Sequence, residues 1–101
     1  MSADLPHPDA MPREARVPAI RAALEQAFAP QRLEIRDDSQ RHAKHAGARD
    51  GRGHFHVEIV AQAFAGMTPI QRHRAIYDAM GALMETDIHA LSIQATPPVD
   101  A

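Results

Sequence analysis

His54-Phe55-His56-Val57-Glu58-Ile59 is the stretch that decides the fold. A strand has a side-chain period of two, so Phe55, Val57 and Ile59 point one way and His54, His56 and Glu58 the other. Such a strand belongs to a sheet with one buried and one wet face. A sheet covered on both faces would need strands apolar on both sides. Further along, Thr68, Pro69 and Gln71 supply an N-cap, a proline at the first helical position and the glutamine of a capping box. The helix they launch carries Ile70, His73, Ile76, Tyr77, Met80, Leu83 and Met84 on one stripe. A second alternating run, Ile88 to Gln94, follows. It places His89, Leu91 and Ile93 on one face and Ala90, Ser92 and Gln94 on the other, with His89 heading the apolar row.

On the N-terminal side, Leu33 and Ile35 alternate with Glu34 and Arg36 in another strand, which stops at the turn-forming cluster Asp37-Asp38-Ser39. Ahead of it, Val17, Ile20, Leu24, Ala27 and Phe28 recur at helical spacing from about Val17 to Phe28; Pro18 suits the first turn and Pro30 stops the helix. Between Gln40 and Gly53 lies a long loop with Gly47 and Gly51 and almost nothing that could enter a core; a loop of this length in a small domain is functional or mobile. Residues 1–14, with Pro6, Pro8 and Pro12, read as a disordered leader, and residues 97–101 as a flexible tail. Residues 15–96 then form one domain in the order helix, strand, strand, helix, strand. Amphipathic helices with single apolar faces pack on one side of a sheet, so the expected architecture is two-layer α+β, with both helices on one face of a three-stranded sheet.

The chain has 101 residues, seven His and no Cys, at a formal net charge of −2 with 45% hydrophobic residues. These values suit a single small globular domain. Without cysteine it forms no disulfide and offers no thiolate, so a metal or cluster must use imidazole or borrow sulfur from a partner. No stretch approaches the ~20 apolar residues of a membrane span, and the first twenty residues hold no apolar signal segment, which makes the cytoplasm the expected location. Eleven Lys and Arg against thirteen Asp and Glu give no overall basic excess of the kind that drives non-specific nucleic-acid binding.

Each histidine has an ordinary reading beside a chemical one. His7 falls in the leader. His54 and His56 share the wet face of their strand, a spacing found in some zinc sites, but the polar-face reading is preferred because no third ligand has a fixed position nearby. The register of His73 with Ile70, Tyr77 and Met80 points it toward the core as a hydrogen-bonded histidine. His89 sits at a strand end, where packing orients a side chain that still reaches solvent. His42 and His45, in the loop, are accessible but not held. Asp37, Asp38, Ser39 and His42 are the residue types of a hydrolase triad without its rigid nucleophile turn, and turn chemistry explains them better. No glycine pattern cradles a nucleotide phosphate.

From Val17 to Pro97 the chain resembles the BolA-like proteins. The resemblance rests on Leu33-Glu34-Ile35-Arg36-Asp37-Asp38-Ser39 followed by His42, on Gly53-His54-Phe55-His56-Val57, on Phe64-Ala65-Gly66 with Gln71-Arg72-His73-Arg74 and Tyr77, and on Ile88-His89-Ala90-Leu91. It implies a class II KH-like α+β fold, in which the three-stranded sheet is mixed, and no enzymatic activity. It also implies association with a monothiol glutaredoxin through a shared two-iron two-sulfur cluster, in iron-sulfur cluster trafficking or iron-dependent regulation. In such pairs the glutaredoxin and its glutathione supply thiolates. Carried over to this sequence, the last-strand ligand falls on His89 and the loop ligand on His42, with His45 as the alternative. The isolated protein is expected to hold no cluster and to be a monomer or weak homodimer. Replacing thiolate by neutral imidazole removes negative charge from a cluster, which raises its potential and makes it labile when the histidine is protonated.

A second reading is transcriptional regulation. KH folds bind single-stranded nucleic acid through a Gly-x-x-Gly loop, and this chain has none. Arg41, Lys44, Arg49 and Arg52 of the loop, with Arg72 and Arg74 of the helix, are the residues that could form a phosphate-binding surface for DNA; as a solvated loop and helix face they need no such role. A third reading is a plain metal-binding module using the same histidines, tested by the metal content of the isolated protein.

Overall fold

The structure, a computed structural model, describes residues 10–39 and 52–99. Its elements are α1 (Arg13–Phe28), β1 (Arg32–Asp37), β2 (Gly53–Val60), a 3-10 turn (Gln62–Phe64), α2 (Pro69–Met80), α3 (Leu83–Thr86) and β3 (Ile88–Thr96). The strands lie in the order β1-β2-β3, with β1 antiparallel and β3 parallel to β2. Parallel neighbours need a crossover, and α2 with α3 provides it. The expected α+β arrangement, two main helices on a three-stranded mixed sheet, is the one the chain adopts.

The alternation in β2 sets the layers. Phe55, Val57 and Ile59 are buried and meet Ile20 and Leu24 of α1, Ile76 and Met80 of α2, and Ile88 and Ala95 of β3 in one core. Burying each such large side chain contributes roughly 1.5–3 kcal/mol. Phe64, carried by the 3-10 turn, stacks on Phe28 at 4.9 Å between ring centroids and closes one end. Strand register pairs Ile35 with Val57 and Val57 with Ile93, so the apolar rows of all three strands face the helices.

The structure moves several boundaries. Helix α1 begins at Arg13, so Arg13 and Glu14 belong to the domain and Pro18 stands in the second turn. The apolar period missed this start because the inward residue of the first turn is an arginine, Arg16, which is buried. Helix α2 starts as expected: the Thr68 hydroxyl accepts the Gln71 N–H at 3.2 Å and Gln71 Oε1 accepts the Thr68 N–H at 2.9 Å. Its buried side differs from the expected stripe. Ile70 is 64% exposed, Tyr77 39% exposed, and His73 is exposed too, so His73 is not a core histidine. Arg72 turns inward instead, donating from Nε to the Met67 carbonyl and from Nη1 to that of Ala95, both at 3.1 Å. The α2 helix ends at Met80 because Gly81 takes a positive φ of 55°; Leu83 and Met84 therefore fall in α3 and are not a continuation of the stripe. Among the described residues no helix is long and apolar enough to cross a membrane.

Candidate functional site

The parallel strands β2 and β3 both begin at one end of the sheet, and their register slips there. Gly53 pairs with Ile88 and His54 with Ala90, which leaves His89 as an extra residue in β3. A one-residue bulge reverses the facing of everything before it, and bulges often re-aim side chains beside functional sites. The expectation that His89 heads the apolar row is therefore corrected. Ile88 takes the core position at 1% exposure, and His89 turns outward and is exposed.

This turn carries the His89 ring to His54. Their centroids are 5.2 Å apart and their planes tilted by 43°. On the other side, Arg52 Nη2 lies 3.2 Å from His89 Nδ1. A guanidinium only donates hydrogen bonds, so Nδ1 is the acceptor in this contact and the proton of a neutral His89 ring sits on Nε2.

The backbone under the pair is pinned from several elements. The Ser39 hydroxyl accepts the His54 N–H at 3.1 Å, and the His54 carbonyl accepts the Asp38 N–H at 2.8 Å. The Ser39 N–H in turn donates to Asp37 Oδ1 at 2.8 Å. The acidic-serine exit of β1 thus clamps the start of β2. Gly53 lies so close to this clamp that a Cβ there would stand 2.6 Å from the Phe55 ring and 2.7 Å from Ser39 Oγ. The Gly53 N–H donates to the Asp87 carbonyl at 2.8 Å.

Asp87 is 1% exposed and Arg16 3%, and they form an ion pair, Nε to Oδ1, at 3.0 Å. Met11 N–H also donates to Oδ1 at 3.0 Å, and the Thr86 hydroxyl donates to Oδ2 at 2.6 Å. Burial pushes the Asp87 carboxyl up, but the bonds from Thr86, Arg16 and the Met11 N–H together outweigh it and hold the group below its ordinary value. Sequence reading missed Asp87. Its partner Arg16 is 71 residues away in the chain and leaves no local signal.

His56 stands apart from the pair. Its Nδ1 is 3.0 Å from Ser92 Oγ and its Nε2 is 3.4 Å from Glu58 Oε2, across and along the wet face, which agrees with its polar-face reading. Of the suggested phosphate-binding residues, Arg72 is engaged by backbone carbonyls, Arg52 meets His89, and Arg74 is exposed on α2. Arg41, His42, Lys44, His45 and Arg49 lie outside the described residues. Among the described residues no group of three or more His, Asp or Glu gathers to hold a metal ion. What the described residues do bring together is a pair of imidazoles, His54 and His89, with Arg52 beside them.

A family profile described as BolA-like protein matches residues 24–100. The mouse protein named BolA-like protein 1 is 46% identical over 80 residues, which are 79% of this chain and 56% of that protein. The chain belongs to the BolA-like family. Among solved structures it is similar to BolA1 from Arabidopsis thaliana, with a TM-score of 0.72 at 36% identity, covering 90% of this chain and 97% of that one. It is also 38% identical over 74 residues to an Escherichia coli protein named DNA-binding transcriptional regulator BolA, covering 73% of this chain and 68% of that protein. The chain spans little more than half the length of the mouse BolA-like relative.

Proposed function

We propose that this BolA-like protein is a non-enzymatic partner of a monothiol glutaredoxin, with which it shares a histidine-ligated two-iron two-sulfur cluster in iron-sulfur cluster trafficking or iron-dependent regulation. The observation that carries the reading is the pair His54 and His89, 5.2 Å apart at the start of two parallel strands. Two imidazoles without a cysteine make half of a cluster's ligand set, and the missing half suits the thiolates of a glutaredoxin and its glutathione. A compartment that keeps those thiols reduced, such as the cytoplasm, suits the exchange.

His89 is the fixed ligand in this reading. For the second imidazole, family resemblance points to His42 or His45. The segment that carries both leaves the described structure at Ser39 and returns at Arg52, and both of those residues contact the histidine pair. His54 is the alternative already held in place by the sheet. A bound cluster would supply electron-transfer and transfer-ready iron-sulfur chemistry; the chain's own residues orient the imidazoles and present Arg52 beside them. Anaerobic mixing with a monothiol glutaredoxin and glutathione, followed by visible absorption and circular dichroism, tests the proposal. A spectrum identical to that of the glutaredoxin alone contradicts it.

The bacterial relative's name supports a second reading, DNA binding. Titration of a DNA fragment at two salt concentrations separates the two, since phosphate contacts weaken steeply with salt and a cluster-bridged protein complex does not depend on DNA.

A further inference from the structure

We propose that Asp87 is a positioning residue for His89, holding the bulge that turns this imidazole toward His54. The proposal rests on the reading of His89 as a ligand. It adds a device that neither the family resemblance nor the sequence pattern contains.

Asp87 stands two residues before His89, at the junction of α3 and β3. Its backbone is fixed on both sides: the N–H donates to the Leu83 carbonyl at 3.0 Å and the carbonyl accepts the Gly53 N–H at 2.8 Å. Its carboxylate draws together three separate parts of the chain, Arg16 of α1, the Met11 N–H ahead of α1, and Thr86 at the end of α3. The Thr86 N–H donates to the Ala82 carbonyl at 3.0 Å, which ties the residue that bonds the carboxylate to the start of α3. The next residue, Ile88, is buried opposite Gly53, and His89 is the inserted residue.

A bulge is a local choice of register, and here the competing register is easy to write down. Strict alternation from Leu91 and Ile93 would put His89 inward and Ile88 outward. Burying Ile88 favours the observed arrangement, but a single apolar side chain does not fix the backbone to one geometry. The Asp87 carbonyl bonded to Gly53 does so, because it locks the β3 start to the residue next to His54. The carboxylate then holds Asp87 itself against α1 and α3. A buried carboxylate with an arginine partner, two further donors and no part in the core's apolar packing is costly unless it specifies something. What it specifies here is the placement of the strand start that bears His89.

The test uses the isolated full chain, without glutaredoxin, so that its outcome is independent of whether the cluster partnership exists. Labelled protein is compared by NMR as wild type, Asp87→Asn, Asp87→Ala and Thr86→Val, with Ile20→Val as a control that loosens the shared apolar core without touching the Asp87 carboxylate. The readouts are the nuclear Overhauser contacts between the His54 and His89 rings and the imidazole nitrogen shifts of His89. The expected result is loss of at least half of the inter-ring intensity in Asp87→Ala, a partial loss in Thr86→Val, and near-complete retention in Asp87→Asn, whose amide keeps an acceptor for Arg16 and Met11. Ile20→Val leaves the ring contacts unchanged, and the contacts between His56 and Ser92 persist in every folded variant. Where Asp87→Ala does not fold, Thr86→Val against Asp87→Asn carries the comparison. Unchanged ring contacts in a folded Asp87→Ala or in Thr86→Val overturn the proposal, as does an equal loss in Ile20→Val. Failure of the wild type to form a cluster with glutaredoxin would instead overturn the proposed function and leave the positioning role standing.

Discussion

The rings of His54 and His89 face each other at 5.2 Å from adjacent parallel strands, although their positions in a strictly alternating sheet would put them on opposite faces. The inserted residue in β3 produces this meeting. It makes His54, not His56, the histidine of β2 that shares a site with His89. His54→Ala is therefore expected to reduce the yield of the cluster formed with a glutaredoxin by about tenfold, the scale on which removing groups at a metal site acts. His56→Ala, which breaks contacts to Ser92 and Glu58 only, should leave the yield near wild type. Equal effects of the two substitutions, read from visible circular dichroism, would remove His54 from the site.

Arg52 donates to His89 Nδ1, the lone pair that a metal would also need if it bound at that atom. Arg52→Ala is expected to change the nitrogen chemical shifts of the His89 ring in the isolated protein and to leave those of His56 in place. Identical His89 shifts in wild type and variant would show that the contact does not persist in solution.

The Asp87 carboxyl is held below its ordinary value in the folded chain. A lowered folded pKa stabilises the fold above the unfolded value of about 3.9, and that stabilisation is lost as pH falls toward the folded value. Urea unfolding should accordingly show wild type well ahead of Asp87→Asn at pH 6, with the gap closing between about pH 4 and lower pH. Asp87→Ala leaves the buried Arg16 charge without its carboxylate and should cost about 3–5 kcal/mol. That is a large share of the roughly 5–15 kcal/mol by which small domains are stable. A gap independent of pH would contradict the assignment of the ion pair.

How much of this was legible beforehand depends on how local the signal was. The faces of β2 could be read from Phe55, Val57 and Ile59, and the start of α2 from Thr68 and Gln71, because the residues that determine them are neighbours. The family was legible too, from runs such as Phe64-Ala65-Gly66 and Ile88-His89-Ala90-Leu91. His89 stood out in the sequence as a strand-end histidine, but its facing was not legible, since one inserted residue inverts a period-two pattern without any change in composition. His73 was misplaced for a related reason: hydrophobic counting cannot see that Arg72 reaches back to the Ala95 carbonyl and rotates the buried side of α2. Arg16 with Asp87 was invisible because the two are joined only by the fold.

Ala29 caps α1 in the left-handed region, at φ 46° and ψ 57°, with its N–H on the Glu25 carbonyl. A side chain is strained in that conformation and glycine is not. Ala29→Gly is expected to stabilise the domain by about 0.5–1 kcal/mol in chemical unfolding. A destabilised variant would mean that this cap is not formed in solution.

The central claim is that His89 completes a cluster whose remaining sulfur ligands come from another protein. The most direct measurement is the visible absorption and circular dichroism of wild type and His89→Ala, each mixed anaerobically with a monothiol glutaredoxin, glutathione, iron and sulfide. The account predicts a mixed-ligand two-iron two-sulfur spectrum with wild type, distinct from that of glutaredoxin alone, and its disappearance with His89→Ala. A spectrum unchanged by the substitution would contradict it.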